Sequence, residues 1–267
     1  MGQLRLACAA RYAERLSLSE AAQRLLSIGF EGIELPVPRS EEEARLLAQE
    51  IQRVPIAPCN VLTGARYSLT PGTDAMVGLQ ADLVPSMQLA KLSGASKCQW
   101  CALAHGNVVE GSAAEWELMS QRVGLLAQTA AEIGCTLLVE PLAPGEGVLL
   151  TTSHSGCRLM EELDAPSLAL TLDTYHAAAA GEDLLESLLL VLPWLRYVHL
   201  SDFRPGEAGR ARRPFPGRGT IDFKRFLEAL ANSGYEGFVG IEGFFETDDH
   251  DAELEACHAY LRQALPQ

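Results

Sequence analysis

Apolar and polar residues alternate along this chain in blocks of two kinds. Short runs such as LRLACAA, VPIAPCNV and SLALTLD are apolar at successive positions, which is typical of strands buried on both faces in a parallel sheet. Between them lie longer segments with apolar residues at helical spacing, for example residues 17–28 and 113–133. These two segments stop at Gly29 and Gly134, and glycine commonly ends a helix. The pattern predicts alternating strands and helices.

Eight strand–helix units are expected in strict alternation. The helices are predicted at residues 17–28, 40–53, 73–93, 113–133, 155–163, 182–192, 222–232 and 250–264. Eight units favour a closed (β/α)8 TIM barrel, and a doubly wound sheet is the alternative. The first strand–helix turn, ACAARYAERL, lacks the GxGxxG of dinucleotide-binding folds. We therefore predict an α/β chain that forms one TIM-barrel domain over residues 1–267.

Composition and charge narrow the classes of function. The chain has 267 residues, 48% hydrophobic and 21% charged, which is ordinary for a globular protein and suits one barrel. A net charge of -14 disfavours binding to nucleic acid or to anionic membranes. Neither a secretory signal nor an apolar stretch of the roughly 20 residues needed to span a membrane is evident. Seven scattered cysteines indicate reduced thiols, so a cytoplasmic location is expected.

Acidic residues and a histidine occur where four successive predicted strands end. They are Glu140 (LLVEP), Asp173 (LTLD), His199 (YVHL) and Glu242 (VGIEG). Catalytic groups of TIM barrels lie at the carboxyl ends of the strands. Each position alone also suits an ion-paired rim carboxylate or a hydrogen-bonded core histidine. Three carboxylates and one imidazole together would need a cation, and this donor set suits Mn²⁺, Mg²⁺ or Co²⁺, with Zn²⁺ as a further alternative.

The motifs EPLAPGE, LDTYH, VHLSD, PGRGTIDF and GIEGF, in this order, resemble the xylose-isomerase-like TIM-barrel superfamily. Within it they resemble the sugar phosphate isomerase/epimerase branch, which includes ketose 3-epimerases, hydroxypyruvate isomerases and inosose dehydratases. The resemblance covers essentially the whole chain. It implies that Glu140, Asp173, His199 and Glu242 hold one divalent ion, with Mn²⁺ as the first expectation. It also implies a small sugar or keto-polyol substrate and a homo-oligomer.

The resemblance extends to residues that contact substrate. Ketose 3-epimerases keep a second Glu six residues after the first and a His three residues after the Asp, which match Glu146 and His176. They also carry an Arg six residues after the metal-binding His, where this chain has Pro205. HLSDFR is closer to dehydratase-like relatives, with an Asp three residues after the His and an Arg two beyond. Asp202 and Arg204 are therefore expected to bind substrate.

Other polar residues at predicted strand ends have two interpretations. His105 follows the fourth strand and is expected to touch substrate. Glu34 and Asn60 end the second and third strands, where lining the pocket and packing at the rim are equally compatible with the pattern.

Segment 204–219 holds five arginines in an otherwise acidic chain. One or two of them would suit an anionic group of a substrate. For Arg210, Arg212 and Arg213 we favour a solvated or subunit-contacting loop.

These observations favour a divalent-metal-dependent sugar isomerase or epimerase. Such an enzyme removes a proton next to a carbonyl and stabilises the resulting enediolate on the metal. Glu140 and Glu242 are the predicted catalytic acid–base pair. The alternatives are an inosose-type keto-polyol dehydratase, which begins with the same step, and a non-catalytic metabolite-binding barrel. A DNA-repair endonuclease of the same superfamily is disfavoured, because it needs three zinc ions and the chain has only six histidines.

Overall fold

The computed structural model of the chain describes residues 2–10, 16–63, 67–68, 73–101, 104–105, 112–147, 149–206, 213–243 and 249–266. In these residues the strands are β1 Leu4–Ala9, β2 Gly32–Leu35, β3 Ala57–Thr63, β4 Tyr67–Ser68, β5 Lys97–Cys101, β6 Ala104–His105, β7 Thr136–Glu140, β8 Leu168–Asp173, β9 Leu195–Leu200 and β10 Gly237–Ile241. The helices are α1 Leu18–Ile28, α2 Glu41–Ile51, α3 Thr73–Ser93, α4 Ala113–Ile133, α5 Ser153–Leu163, α6 Thr174–Ala179, α7 Leu184–Val191, α8 Phe223–Asn232 and α9 His250–Ala264.

Eight of the strands close into a parallel barrel in the order β1-β10-β9-β8-β7-β5-β3-β2. The two short strands β4 and β6 pair with each other outside it. Helices follow the barrel strands and cover them, as the alternating pattern predicts. The predicted (β/α)8 TIM barrel is confirmed, and the doubly wound alternative is wrong because the sheet has no free edge.

Alternation along each strand separates two cores, because successive side chains point to opposite faces of a sheet. In β9, Val198 and Leu200 pack outward in the large core under the helices. Tyr197, one position earlier, belongs to a second cluster that fills the inside of the barrel. That inner cluster consists of Ala7, Cys59, Leu138, Ala169, Tyr197 and Phe238. Polar residues two positions beyond its members therefore also face inward, toward the carboxyl end.

Helix boundaries follow local capping chemistry, and this explains where prediction and structure differ. Ser17 and Glu20 form the expected capping box of α1, and Gly29 ends that helix in the left-handed region with φ of 113°. The pattern predicts only a helical turn at the alanines 177–180, whereas α6 begins at Thr174. It begins there because Oδ1 of Asp173 accepts hydrogen bonds from the amides of the first turn.

No helix in the described part of the chain combines the length and the apolarity needed to cross a membrane. The six cysteines whose side chains are described are buried, and none of these six forms a disulfide.

Gly240 of β10 faces the inside of the barrel, and we predict that Gly240→Ala destabilises the protein. A Cβ there would overlap Oε1 of Glu34 and lie 2.5 Å from the Tyr197 hydroxyl. Overpacking of this kind costs about 1–3 kcal/mol, so the urea midpoint of unfolding should fall.

Gly124→Ala, within α4, is the matched control for this change. Its Cβ would meet nothing closer than 3.4 Å, and alanine is favoured over glycine in a helix by up to about 1 kcal/mol. Its midpoint should stay or rise. An equal midpoint for Gly240→Ala and the wild type would contradict the tight packing around Glu34.

Candidate active site at the carboxyl end of the barrel

Four polar side chains from adjacent strands meet inside the carboxyl end of the barrel. Glu140 and Asp173 are the last residues of β7 and β8, His199 lies in β9, and Glu242 directly follows β10. All four are buried. One ligand atom from each lies within 4.8 Å of those of the others. The expectation that residues distant in the chain converge here is confirmed, while their role as metal ligands stays a prediction.

His199 is placed between carboxylates on both sides of its ring. Its Nδ1 lies 3.0 Å from Oε1 of Glu140 and 3.2 Å from Oε2 of Glu242. Its Nε2 lies 3.0 Å from Oε1 of Glu34 on the opposite side. Burial acts to lower the pKa of His199, but the negative charges of Glu34 and Glu242 and the contact with Glu140 together raise it well above its usual range. The ring is therefore part of a charged cluster.

Glu140 is oriented by Gln99, a residue that the sequence analysis did not single out. Gln99 Nε2 donates to Glu140 Oε2 over 3.1 Å. Its Oε1 accepts from Asn60 Nδ2 and Thr171 Oγ1, each at 3.1 Å. Asn60, which had two interpretations, thus supports this amide from below. The missed signal was an amide between two apolar neighbours in SKCQWCAL, at a position that faces the barrel interior.

The two carboxylate oxygens of Asp173 have different partners. Its Oδ1 accepts hydrogen bonds from the amides of Tyr175 and His176 and so begins α6. Its Oδ2 faces the cluster, 3.8 Å from Nη1 of Arg213. Burial is the main cause that raises the pKa of Asp173 well above its usual range; Arg213 opposes the rise, and the charges of Glu140 and Glu242 add to it.

Glu146, which follows β7, and His176, which lies in α6, flank the cluster beyond the strand ends. The amide of Ala143 donates to Nδ1 of His176 over 2.8 Å. Glu146 Oε2 pairs with Arg213, whereas its buried Oε1 has no hydrogen-bond partner within the described ranges. A buried acceptor without a donor is uncommon in proteins, which makes it suitable for a hydroxyl of a ligand.

Arg213 corrects the interpretation of its segment as a solvated or subunit-contacting loop. The residue is 4% exposed, and its Nη2 lies 2.9 Å from Glu146 Oε2 and 2.7 Å from His176 Nε2. Its Nη1 lies 3.4 Å from Glu242 Oε2. Burial acts to lower the pKa of Arg213, but the carboxylates of Glu242, Asp173 and Glu146 more than offset this and raise it. Arg210 and Arg212 lie outside the described residues.

Asp202 organises the segment that carries Arg213. Its two carboxylate oxygens accept hydrogen bonds from four backbone amides at distances of 2.7–3.0 Å. The donors are Phe203, Gly217, Gly219 and Ile221. Its own amide donates to the carbonyl of Pro214, next to Arg213, over 2.9 Å. The structure thus engages the Asp202 carboxylate with backbone, and its contact with substrate stays a prediction.

Two predicted substrate residues remain, Arg204 and His105. Arg204 Nε donates to the carbonyl of Arg218 over 2.7 Å, a contact within its own segment. The backbone of His105 in β6 pairs with Ser68 of β4, and its side chain lies outside what the structure describes. Substrate binding by Arg204 and His105 stays a prediction.

The donor set fits a divalent metal ion. Three carboxylates and one imidazole nitrogen point into one volume, and oxygen-rich sets with one nitrogen suit hard or borderline divalent ions. The negative charges that raise the pKa of His199 would also attract a cation. His199 also meets a carboxylate through the nitrogen that faces away from the cluster, which is usual for metal-binding histidines.

Comparison with known proteins agrees with this architecture. The family described as xylose isomerase-like TIM barrel matches residues 22–264. A fructoselysine 3-epimerase of Escherichia coli O157:H7 is 22% identical over 241 residues, which is 86% of each chain. An inosose dehydratase of Geobacillus thermodenitrificans is 34% identical over 142 residues, 48% of this chain and 47% of its own.

A solved structure shares the whole fold. The crystal structure of a 3-keto-D-glucoside 4-epimerase from E. coli superimposes with a TM-score of 0.82 and covers 98% of this chain and 100% of its own. Its sequence identity is 19%, so this likeness concerns the fold.

We predict that Asp173→Asn weakens binding of Mn²⁺ at least about tenfold, as measured by isothermal titration calorimetry. Asparagine still caps α6 but removes the charge of the oxygen that faces the cluster. Tenfold is the lower end of what loss of an indirect contact to a metal site costs, so loss of a direct ligand should cost at least as much.

Asp183→Asn is the control, since Asp183 caps α7 through the same pair of amide contacts at an exposed position. Its Mn²⁺ affinity should equal that of the wild type. Equal affinity for Asp173→Asn as well would remove Asp173 from the metal site.

Proposed function

We propose that this chain, which belongs to the xylose isomerase-like TIM barrel family, is a divalent-metal-dependent isomerase or epimerase of ketoses or keto-polyols. The observation that carries the proposal is the convergence of Glu140, Asp173, His199 and Glu242 in one buried volume at the carboxyl end of the barrel. Similarity to proteins named as sugar epimerases supports it.

The chemistry that we propose is proton transfer at the carbon next to a ketone. A divalent ion held by the four side chains would supply a Lewis acid for the ketone oxygen. Glu140 and Glu242 would act as base and acid: one, as a carboxylate, takes the proton, the electron pair of the C–H bond moves toward the carbonyl oxygen, and the other, which begins as a carboxylic acid, gives its proton to carbon and ends as a carboxylate. Return to the opposite face of the same carbon is epimerisation, and return to the neighbouring carbon is isomerisation.

Three further residues would orient the substrate. Glu146 has a buried oxygen without a donor within the described ranges, and the ring of His176 carries its Nε2 toward the same space. Arg213 lies between the two, with guanidinium donors that a polyol hydroxyl can share. These contacts would fix which face of the carbon meets each carboxylate. Roles for Asp202, Arg204 and His105 at the substrate stay predictions.

Dehydration of a keto-polyol is the second candidate, favoured by the 34% identity to an inosose dehydratase over about half the chain. It begins with the same proton abstraction and differs in the loss of a β-hydroxyl as water. Product analysis separates the two, because dehydration yields an unsaturated ketone with a new ultraviolet absorption. A cytoplasmic location and a homo-oligomer stay predictions.

We predict that Glu140→Gln abolishes exchange of the substrate proton with solvent deuterium. The wild type, incubated with Mn²⁺ and a panel of ketoses and inososes in D₂O, should incorporate deuterium next to the carbonyl of its substrate, as followed by NMR. Loss of a positioned general base typically costs about 10²–10⁴-fold in rate.

Bound Mn²⁺ must be quantified in the same samples, because Glu140 would also be a ligand. The test is therefore made at Mn²⁺ concentrations that saturate the variant. Wild-type exchange by metal-loaded Glu140→Gln would exclude Glu140 as the base. A wild type that catalyses no exchange with any of these substrates, at saturating metal, would favour a non-catalytic barrel.

We predict that Arg213→Met lowers kcat/KM about 10- to 100-fold, since a hydrogen bond to a charged group is worth about 1.5–3 kcal/mol. Arg218→Met in the same segment is the control, because Arg218 pairs with Glu253 at the protein surface and such pairs contribute little. Arg213→Lys should not restore the rate, as one ammonium cannot span the contacts of the guanidinium. Comparable kcat/KM values for the Met variants at 213 and 218 would contradict a substrate role for Arg213.

A further inference from the structure

Glu34 is a buried carboxylate for which the proposed chemistry has no use. It lies in β2, one residue before the end of that strand, and has no exposed surface. Its Oε2 has no hydrogen-bond partner in the described part of the chain, although burial of a charged carboxylate without compensation is costly. A buried carboxylate therefore needs other interactions that offset this cost.

All the contacts that orient Glu34 converge on its other oxygen. Oε1 lies 3.0 Å from Nε2 of His199 and accepts a hydrogen bond of 2.6 Å from the hydroxyl of Tyr197. That hydroxyl is in turn 3.3 Å from Sγ of Cys59. Gly240 leaves the space that the carboxylate and the hydroxyl occupy. Four strands of the barrel thus hold one oxygen against one ring nitrogen.

The contact between Glu34 and Nε2 of His199 bears on which ring nitrogen carries the proton. A neutral imidazole carries one proton, and whichever nitrogen lacks the proton offers a lone pair. A carboxylate at Nε2 would keep the proton on that nitrogen when a cation occupies the site, and the lone pair of Nδ1 would then face the volume bounded by Glu140 and Glu242, which lie 3.0 and 3.2 Å from Nδ1. Histidines that bind metals commonly have a carboxylate on the other nitrogen, which fixes the tautomer and strengthens the ligand.

We propose that Glu34 is a positioning residue for the metal site, which selects the Nε2–H tautomer of His199 and holds Nδ1 toward the cation. The inference rests on the proposed metal dependence and adds to it a residue that touches neither substrate nor metal. Tyr197 supports Glu34 by occupying the same oxygen, so the carboxylate cannot turn away from the ring without losing a second hydrogen bond.

The test is Mn²⁺ binding by the purified chain, without substrate, measured by calorimetry for the wild type and two variants. Glu34→Gln keeps the shape and removes the charge; Glu34→Met also removes the acceptor. Both should bind Mn²⁺ about 10- to 100-fold more weakly, with the larger loss in the Met variant. Phe238→Leu is the matched control: Phe238 belongs to the same inner layer and takes no part in the contacts described above, so this variant should keep wild-type affinity.

A spectroscopic measurement separates positioning from a general loss of structure. In chains labelled with ¹⁵N-histidine and loaded with diamagnetic Zn²⁺, the His199 ring of the wild type should show a protonated Nε2 and a metal-bound Nδ1. In Glu34→Met the Nε2–H signal of His199 should lose its slow exchange with water or disappear, while the other histidines keep their spectra. The His199 signals are assigned by their absence in His199→Asn.

The outcomes distinguish this inference from the proposed function. A wild type that binds no divalent ion overturns both. A wild type that binds Mn²⁺ together with a Glu34→Gln variant of equal affinity overturns the positioning role alone. Should Glu34→Met fail to fold, Glu34→Gln, which conserves volume, decides the question by the same affinity.

Discussion

Negative charge crowded into a buried volume is the constraint on which this structure depends. Glu140, Asp173 and Glu242 bring their oxygens together at the barrel mouth, with Glu146 beside them and Glu34 below. Two like charges about 4 Å apart repel by about 4 kcal/mol at an effective dielectric of 20, a large fraction of the 5–15 kcal/mol that keeps a domain folded. The cluster therefore needs positive charge. Within the described residues Arg213 and His199 supply it, and both oppose the rise in the pKa of Asp173 that burial and the charges of Glu140 and Glu242 cause.

The barrel supplies the geometry that makes such crowding attainable. Each strand alternates between a face toward the helices and a face toward the interior. Leu138 and Ala169 fill the interior, and Glu140 lies two residues after Leu138 on the same face. Tyr197 and His199 repeat this relation in β9. Apolar packing inside the barrel thus fixes the orientation of the polar groups at its carboxyl end, because the same strands carry both the inner core and the site.

Residues whose position follows from a strand are the ones that sequence reasoning located. Asp173 ends the apolar run SLALTL, and its strand has a fixed neighbour in a parallel barrel, so its meeting with His199 follows from periodicity and topology; the two are paired in register. Gln99 obeys the same rule and was missed only because an amide in an apolar strand was not taken as a signal. The capping role of Asp173 was missed for a different reason: one residue serves both α6 and the cluster, and pattern analysis assigns one role to each residue.

The place of Arg213 beside the carboxylates does not follow from the sequence. The spacing known from ketose 3-epimerases places an arginine six residues after the histidine, and this chain has Pro205 there. The guanidinium reaches the cluster from a residue further along, because Asp202 gathers backbone amides on both sides of the segment and its own amide holds Pro214. A segment folded around one carboxylate has no periodicity from which its path can be inferred. The carboxylates require a positively charged side chain at one place beside them. A loop on a rigid barrel can bring such a side chain there from different positions in the sequence. In this segment, the spacing of residues in the sequence is therefore a weaker guide to position than the need for positive charge beside the carboxylates. Spacing led to the expectation of Arg204 at the substrate, whereas Arg213 lies beside Glu146 and His176.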